Sequence, residues 1–277
     1  MPYVALITGA SSGIGEATAR RLAREPDVKL VLVARREARL EQLAGELGGA
    51  TVIAADLTEP DAPNHVRQIV EREHGGELHL LVNNAGAAWR GTFAEKGWAN
   101  VERHMKLNFE APVRLTEALL PLLRATAARP GAGAVAGAKR VAIVNVASTA
   151  ARVSRPNSGS YSASKFALVG WSDALYAEEA EHGVHVGLVL PGFIKTEGFP
   201  AAELPSVIVS TPDVVAEAIY AAGPQGKPER YVPRPYWIAA ALRVLAPSVV
   251  RRAVARGRLT TATSAKEDLP TGKTLSE

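Results

Sequence analysis

The sequence contains no cysteine. That excludes a disulfide framework, a thiolate zinc site and a cysteine nucleophile, and it fits a reducing compartment. No stretch approaches the ~18 apolar residues that a membrane-spanning helix needs. The N-terminus runs from Met1 and Pro2 straight into apolar Tyr3 to Ile7, with neither a basic segment nor a long apolar one. A targeting segment is therefore not expected, and a cytoplasmic location is. There is no internal repeat. Basic residues are present without any nucleic-acid-binding signature, so neither nucleic acid nor a bound metal is expected.

What is present is an ordinary globular composition: 277 residues, 47% hydrophobic and 22% charged, with a net charge of +4. Chains of ~250 residues that mix helix and strand often fold as one domain. The charge is unevenly spread. Residues 227–258 hold Lys227, Arg230, Arg234, Arg243, Arg251, Arg252, Arg256 and Arg258 against the single acid Glu229. That segment carries +7, so the remainder of the chain sums to −3.

Residues 3–8, 28–34, 50–55, 79–83, 141–147 and 184–190 are near-continuous runs of Val, Ile, Leu and Ala, as strands buried on both faces read. A seventh strand is expected at 229–232. Periodic, charged segments at 14–25, 36–47, 60–74, 98–124 and 160–182 predict amphipathic helices. Strand–helix alternation of this kind predicts an α/β fold, doubly wound, with a mostly seven-stranded parallel sheet and helices on both faces. One domain is expected over 1–258. It includes a basic segment at about 233–258 containing two short helices, and a flexible polar tail is expected at 259–277. The Gly-rich stretch 129–138 predicts a loop before the fifth strand.

Thr8-Gly9-Ala10-Ser11-Ser12-Gly13-Ile14-Gly15 follows the first strand and opens the first helix. Glycines there let the backbone turn sharply and approach a pyrophosphate, while the helix N-terminus faces the anion. Gly9, Ser11, Ser12, Gly13, Ile14 and Gly15 are the candidate phosphate cradle. The alternative is a turn with no ligand. Gly9 to Gly13 also match the Gly-x-Ser-x-Gly elbow of α/β-hydrolases. That reading needs a late histidine at a strand's C-terminal end. His182 and His185 instead flank the start of a strand, and no earlier strand exists to supply an oxyanion hole.

Further motifs follow at successive strand ends: Asp56-Leu57, Asn83-Asn84-Ala85-Gly86, Ser148, Tyr161-x-x-x-Lys165 and Pro191-Gly192. Together with the glycine loop they resemble the short-chain dehydrogenase/reductases, from Tyr3 to about Thr196. The resemblance implies a Rossmann-like NADP-binding catalytic domain. It implies Tyr161 as general acid/base, with Lys165 lowering its pKa and binding the nicotinamide ribose. Ser148 would hold the substrate oxygen, and Asn108 a water of the proton relay. Tyr161 and Lys165 are i, i+4 on one helix face. An ammonium at ~5 Å in an effective dielectric near 20 would favour phenolate by ~3 kcal/mol. A Tyr/Lys pair on a solvated face is the bland alternative, disfavoured by Ser148 at the end of a buried strand.

For the cofactor, Ala34 stands where NAD-using members carry an acid, and Arg35 and Arg36 follow. An arginine fork suits a 2′-phosphate, so NADP(H) is expected over NAD(H), with Arg35 the stronger candidate. The resemblance also places Asp56, Leu57, Asn83, Ala85, Gly86, Pro191, Gly192, Ile194 and Thr196 along the cofactor. The expected substrate is a small carbonyl or alcohol compound. Its walls would be Trp89, Arg90, Val153, Phe193, Phe199, Pro200, Leu204 and Val207, which are mostly apolar. A homodimer or homotetramer is implied by the family. A catalytically idle regulatory protein on the same fold is the competing function. The basic C-terminal segment is either a docked helix pair with a solvated face or a peripheral contact with anionic membrane.

Overall fold

The computed structural model describes residues 2–129, 140–197 and 209–256. Six strands follow the apolar runs: β1 (Tyr3–Thr8), β2 (Val28–Ala34), β3 (Thr51–Ala54), β4 (Leu80–Asn83), β5 (Ala142–Val146) and β6 (His185–Pro191). Two short strands, β7 (Phe193–Ile194) and β8 (Val209–Ser210), pair with each other, and β9 (Glu229–Val232) closes the main sheet. The main sheet has seven strands in the order β3-β2-β1-β4-β5-β6-β9, and every adjacent pair is parallel. The chain winds outward from β1 to β3, then crosses back to build the other half from β4. The crevice above β1 and β4 is thus the switch point, where ligands bind in open α/β sheets.

The helices are α1 (Gly13–Leu22), α2 (Glu37–Glu46), α3 (Ala62–His74), α4 (Phe93–Met105), α5 (Ala111–Ala127), α6 (Gly159–Glu179), α7 (Pro212–Ala222), α8 (Tyr236–Leu245) and α9 (Pro247–Ala255). Successive strand side chains point to opposite faces, so one strand feeds two cores. Ala5 and Ile7 of β1 pack with Leu22, Leu40 and Ile219 from α1, α2 and α7. Val4 and Leu6 pack with Val66, Leu115 and Leu175 from α3, α5 and α6. All six residues of β1 and all five of β5 are buried, which is why these strands carry no polar alternation.

Three differences from expectation have physical causes. The helix expected over 98–124 starts earlier, at Phe93, where Thr92 and Glu95 form a reciprocal capping box. It is also interrupted by a π-helical turn at Lys106–Glu110. Helix α7 was not foreseen, although Thr211, Pro212 and Asp213 form a readable start signal. The two expected C-terminal helices are present as α8 and α9. Of the other expectations, the loop residues 130–138, the tail 259–277, and Phe199, Pro200, Leu204 and Val207 lie outside the described residues.

Candidate active site

The site is pinned first at the ends of β1 and β4. The Thr8 hydroxyl donates to the Val82 carbonyl at 3.1 Å and accepts from the backbone N–H groups of Asn84 and Ala85 at 2.9 and 3.0 Å. The Asn84 amide donates back to the Thr8 carbonyl at 2.9 Å. Asn84 lies inside the quoted motif, but its clamp on the glycine loop was not anticipated. Gly9 sits at φ 66°, and a Cβ there would come within 3.0 Å of the Ala85 Cα. A Cβ on Gly15 would stand 2.2 Å from the Gly9 carbonyl oxygen, so only glycine lets α1 start this close to β1. A Cβ on Gly13 would come 3.3 Å from the Thr196 methyl, so Thr196 lies over the loop.

The two arginines after β2 take different directions. The Arg36 guanidinium lies against the loop, donating to Ser11 Oγ at 3.1 Å and to Ser12 Oγ at 2.6 Å. Arg35 is 76% exposed and reaches only to 3.7 Å from the Asp56 carboxylate. The structure therefore brings Arg36, rather than the favoured Arg35, onto the cradle. Two further residues join it that sequence reasoning did not name. Glu197 accepts from Arg39 at 2.6 and 3.0 Å and lies 3.4 Å from Arg36. No local sequence signal links them, because 158 residues separate Arg39 from Glu197.

Asp56 accepts from the Thr58 backbone and hydroxyl at 2.9 and 2.7 Å. Partial burial opposes its charge, but those bonds and nearby Arg35 hold its carboxyl below the usual carboxylate range. Leu57 is packed into the core. Asn83 is buried, and its amide nitrogen donates to Thr116 Oγ1 at 3.0 Å and Asn145 Oδ1 at 2.9 Å, whereas its Oδ1 has no partner among the described residues.

At the end of β5, Ser148 caps a short 3₁₀ turn over Thr149–Ala151. Its hydroxyl accepts from Ala150 N–H at 3.1 Å and donates to the Pro191 carbonyl at 3.3 Å. Tyr161, in the first turn of α6, lies close enough for the Ser148 hydroxyl to act on its ionisation. Lys165, one turn further on, is 4% exposed and donates to the Val146 carbonyl at 2.8 Å. A Cβ on Gly86 would come 3.4 Å from the Lys165 ammonium and 2.9 Å from Asn108 Oδ1, so Gly86 keeps the space between them open.

Asn108 sits in the π-helical turn and is fully buried. Its amide grips Ala87 from both sides, accepting from the backbone N–H and donating to the carbonyl, each at 3.0 Å. It also donates to Ser164 Oγ at 3.1 Å. The side chain thus fixes the loop after β4, while the π turn marks the kind of local irregularity found at functional sites.

The electrostatics differ from the simple Tyr/Lys expectation. Burial pushes the Tyr161 hydroxyl up, and this outweighs the Ser148 hydroxyl and the charges of Arg155 and Arg90, which act downward. Burial also pulls Lys165 down to about 8. The expected lowering of Tyr161 assumed a solvent-screened ammonium near an otherwise ordinary phenol. Desolvation of both groups decides instead.

Arg155 was not anticipated. Its guanidinium lies 4.3 Å from the centre of the Phe193 ring. Nor was His104, which is fully buried and packs edge-on to Trp89 and Tyr161 at 4.9 and 6.1 Å between ring centres. His104 Nε2 accepts from the Trp89 N–H at 3.0 Å, so Nδ1 carries the proton and donates to the Asn100 carbonyl at 2.6 Å. Pro191 and Gly192 close the site from β6. Ile194 is buried in the core, and a Cβ on Gly192 would meet the Tyr236 ring at 2.5 Å, which docks the start of α8 beside the site.

The short chain dehydrogenase family model matches residues 3–203. The chain is 35% identical over 222 residues to Oxidoreductase claN of Passalora fulva, covering 79% of this chain and 94% of that protein. It is 36% identical over 206 residues to the Granaticin polyketide synthase putative ketoacyl reductase 1 of Streptomyces violaceoruber, covering 72% and 70%. Its fold matches the crystal structure of a short-chain dehydrogenase from Streptomyces avermitilis with a TM-score of 0.74 and 26% identity, covering 93% of this chain and 97% of that one. A strand-end site with this loop, this serine and this Tyr-x-x-x-Lys helix, within that matched span, places the chain in the short-chain dehydrogenase/reductase family, oxidoreductases that use a nicotinamide dinucleotide.

Proposed function

We propose that the protein interconverts a carbonyl and a secondary alcohol on an apolar small molecule, with NADP(H) as its preferred coenzyme. The observation that carries this reading is Ser148 at the end of β5, within reach of Tyr161 in the first turn of α6, with buried Lys165 one turn further along that helix. The groups lining the crevice fit a dinucleotide. Gly9 and Gly15 leave no room for side chains, Gly13 holds a left-handed φ of 57°, and α1 points its N-terminus at the loop. Ser11, Ser12, Ile14, Ala85, Gly86, Ile194 and Thr196 would complete that cradle.

When bound, the nicotinamide supplies or accepts the hydride. The chain handles the proton and the position. Ser148 Oγ would hold the substrate oxygen by donating to it. Tyr161 would give its proton to a carbonyl oxygen during reduction, or remove one from an alcohol during oxidation. Its high pKa in the free protein suits the donor direction. Lys165 would restore that proton and bind the ribose. Asn108 would fix the loop that borders the proton path. NADP(H) over NAD(H) rests on Ala34 where an acid would repel phosphate, with Arg36 on the loop and Arg35 beside it.

Trp89, Val153 and Phe193 would make the substrate wall apolar, and the charges of Arg155 and Arg90 act on Tyr161. A homodimer or homotetramer through the helix expected over 98–124 (α4 and α5) and the one expected over 160–182 (α6) fits Phe93 and Trp98 on α4 and Phe166 and Tyr176 on α6, all large and exposed. The test is a carbonyl and alcohol panel followed by NADPH absorbance, including long-chain ketones, steroid-like ketones and ketoacyl thioesters. Tyr161→Phe should abolish turnover while coenzyme still binds. An active Tyr161→Phe variant would end the acid/base assignment. Coenzyme binding without turnover on any compound would favour an idle regulatory protein instead.

A further inference from the structure

Helix α8 is amphipathic in the wrong sense for a helix packed on a protein surface. Its buried side carries Tyr236 and Ala240. Its outward side carries Trp237, Ile238, Leu242, Val244 and Leu245, at 56%, 48%, 49%, 78% and 80% exposure. These positions form one stripe at helical spacing, and Val249 of α9 extends it. Helix α9 turns Val250 inward and presents Arg251, Arg252 and Arg256 outward. A contiguous apolar stripe on a solvent face, bordered by cations, marks a docking surface rather than an ordinary exterior.

We infer that α8 and α9 dock the protein onto a bilayer containing anionic lipid, with the outward stripe of α8 entering the headgroup boundary and the α9 arginines meeting phosphates. Charge selects this occupant. Between Arg230 and Arg256 there are six arginines and no acid. A second copy of the chain meeting this face across a two-fold axis would set Arg251 and Arg252 against the same arginines with nothing to compensate them. An anionic lipid surface compensates Arg251, Arg252 and Arg256, and its acyl layer takes up the apolar stripe. A cavity of about 310 Å³ at the foot of the helix pair supports the same chemistry. It is lined by Phe166, Ala240, Val244 and Pro247, with Arg152 and Arg243 as its charged groups.

Arg152 is held by Glu229 and Tyr231, each at 3.2 Å. Among the described residues no helix is long and apolar enough to cross a membrane, so the contact is peripheral. Tyr236 seats α8 on Gly192, so a docked protein carries its candidate active site next to the lipid.

The test uses the full chain, sedimented with phosphatidylcholine vesicles with and without phosphatidylglycerol. The parent protein should pellet with the anionic vesicles, and added salt should release it. Arg251→Ala with Arg252→Ala should lower partition about 25-fold, at about five-fold per arginine near an anionic surface. Val244→Ser with Leu245→Ser should also release the protein, and both pairs should keep the parent melting temperature because all four side chains face solvent. Absence of pelleting by the folded parent would overturn the inference, as would pelleting indifferent to both pairs. So would a dimer in size-exclusion chromatography that the serine pair dissolves without any vesicle binding by the parent.

Discussion

Replacing Lys165 with methionine should abolish turnover and leave the fold as stable as the parent or more so. Lys165 is 4% exposed, and burial lowers its pKa from 10.5 to about 8. At ~1.4 kcal/mol per pH unit, holding its ammonium charged at pH 7 costs the fold roughly 3 kcal/mol. Methionine fills nearly the same space with no charge to desolvate. The substitution also strips the Val146 carbonyl of the donor now 2.8 Å away, and an unpaired buried carbonyl costs ~1–3 kcal/mol. The balance is a net gain of about 0–2 kcal/mol.

Urea unfolding at pH 7 measures that balance, and a pH series tests its origin. The folded pKa lies below the unfolded one, so between about 8 and 10.5 the unfolded chain binds more protons. Parent stability from this group should therefore rise with pH through that window, and the methionine variant should lack the rise. Because the desolvation penalty accompanies the proposed function, a stability cost at this position is the expected trade-off. A methionine variant destabilised by more than about 1 kcal/mol would refute the reasoning. So would identical pH slopes in the two proteins.

Arg36→Ala should cut the NADPH/NADH ratio of kcat/KM about tenfold, because a charge-assisted bond of ~1.5–3 kcal/mol to the phosphate replaces weaker bonds to Ser11 and Ser12. Steady-state kinetics with both coenzymes reads the ratio, and an unchanged value would remove Arg36 from the phosphate site. Gly15→Ala should destabilise by at least ~1–3 kcal/mol, since its Cβ would stand 2.2 Å from a backbone oxygen that cannot move alone. An unaltered melting temperature would contradict that packing. Burial lowers the pKa of His74, His79, His104 and His185, so the unfolded chain takes up protons first as pH falls below about 6.5. The melting temperature should accordingly drop from pH 7 to pH 5, and His104→Gln should shrink the drop. A flat profile would argue against it.

The sheet was legible because its strands are buried on both faces. Where Ala5 and Ile7 serve one core and Val4 and Leu6 the other, every position must be apolar, and the run shows in the sequence without alternation. The π-helical turn at Lys106–Glu110 was not legible. The residues Lys-Leu-Asn-Phe-Glu suit an ordinary helix, and what accompanies the wider turn is a contact made elsewhere, the Asn108 amide gripping Ala87. The same holds for α8. It is the first of the two short helices expected there, but a helical stripe alone does not say whether it faces the core or the solvent.

At the candidate site, which residues come together was legible and the field they make was not. Strand-end motifs named Ser148, Tyr161 and Lys165 because residue type and edge are both fixed by the chain. The field at Tyr161 is a sum over groups that the spacing does not reveal. Arg155 comes from the loop before α6 and Arg90 from the loop after β4, and both act on the phenol against its burial. Likewise, Arg35 and Arg36 are equivalent on paper at the end of β2. Their neighbours separate them, since β2 lies between β3 and β1. Arg35 meets Asp56 beyond β3, while Arg36 meets Ser11 and Ser12 beyond β1. The choice between them is a consequence of strand order, a property of the whole sheet that no pair of adjacent residues contains.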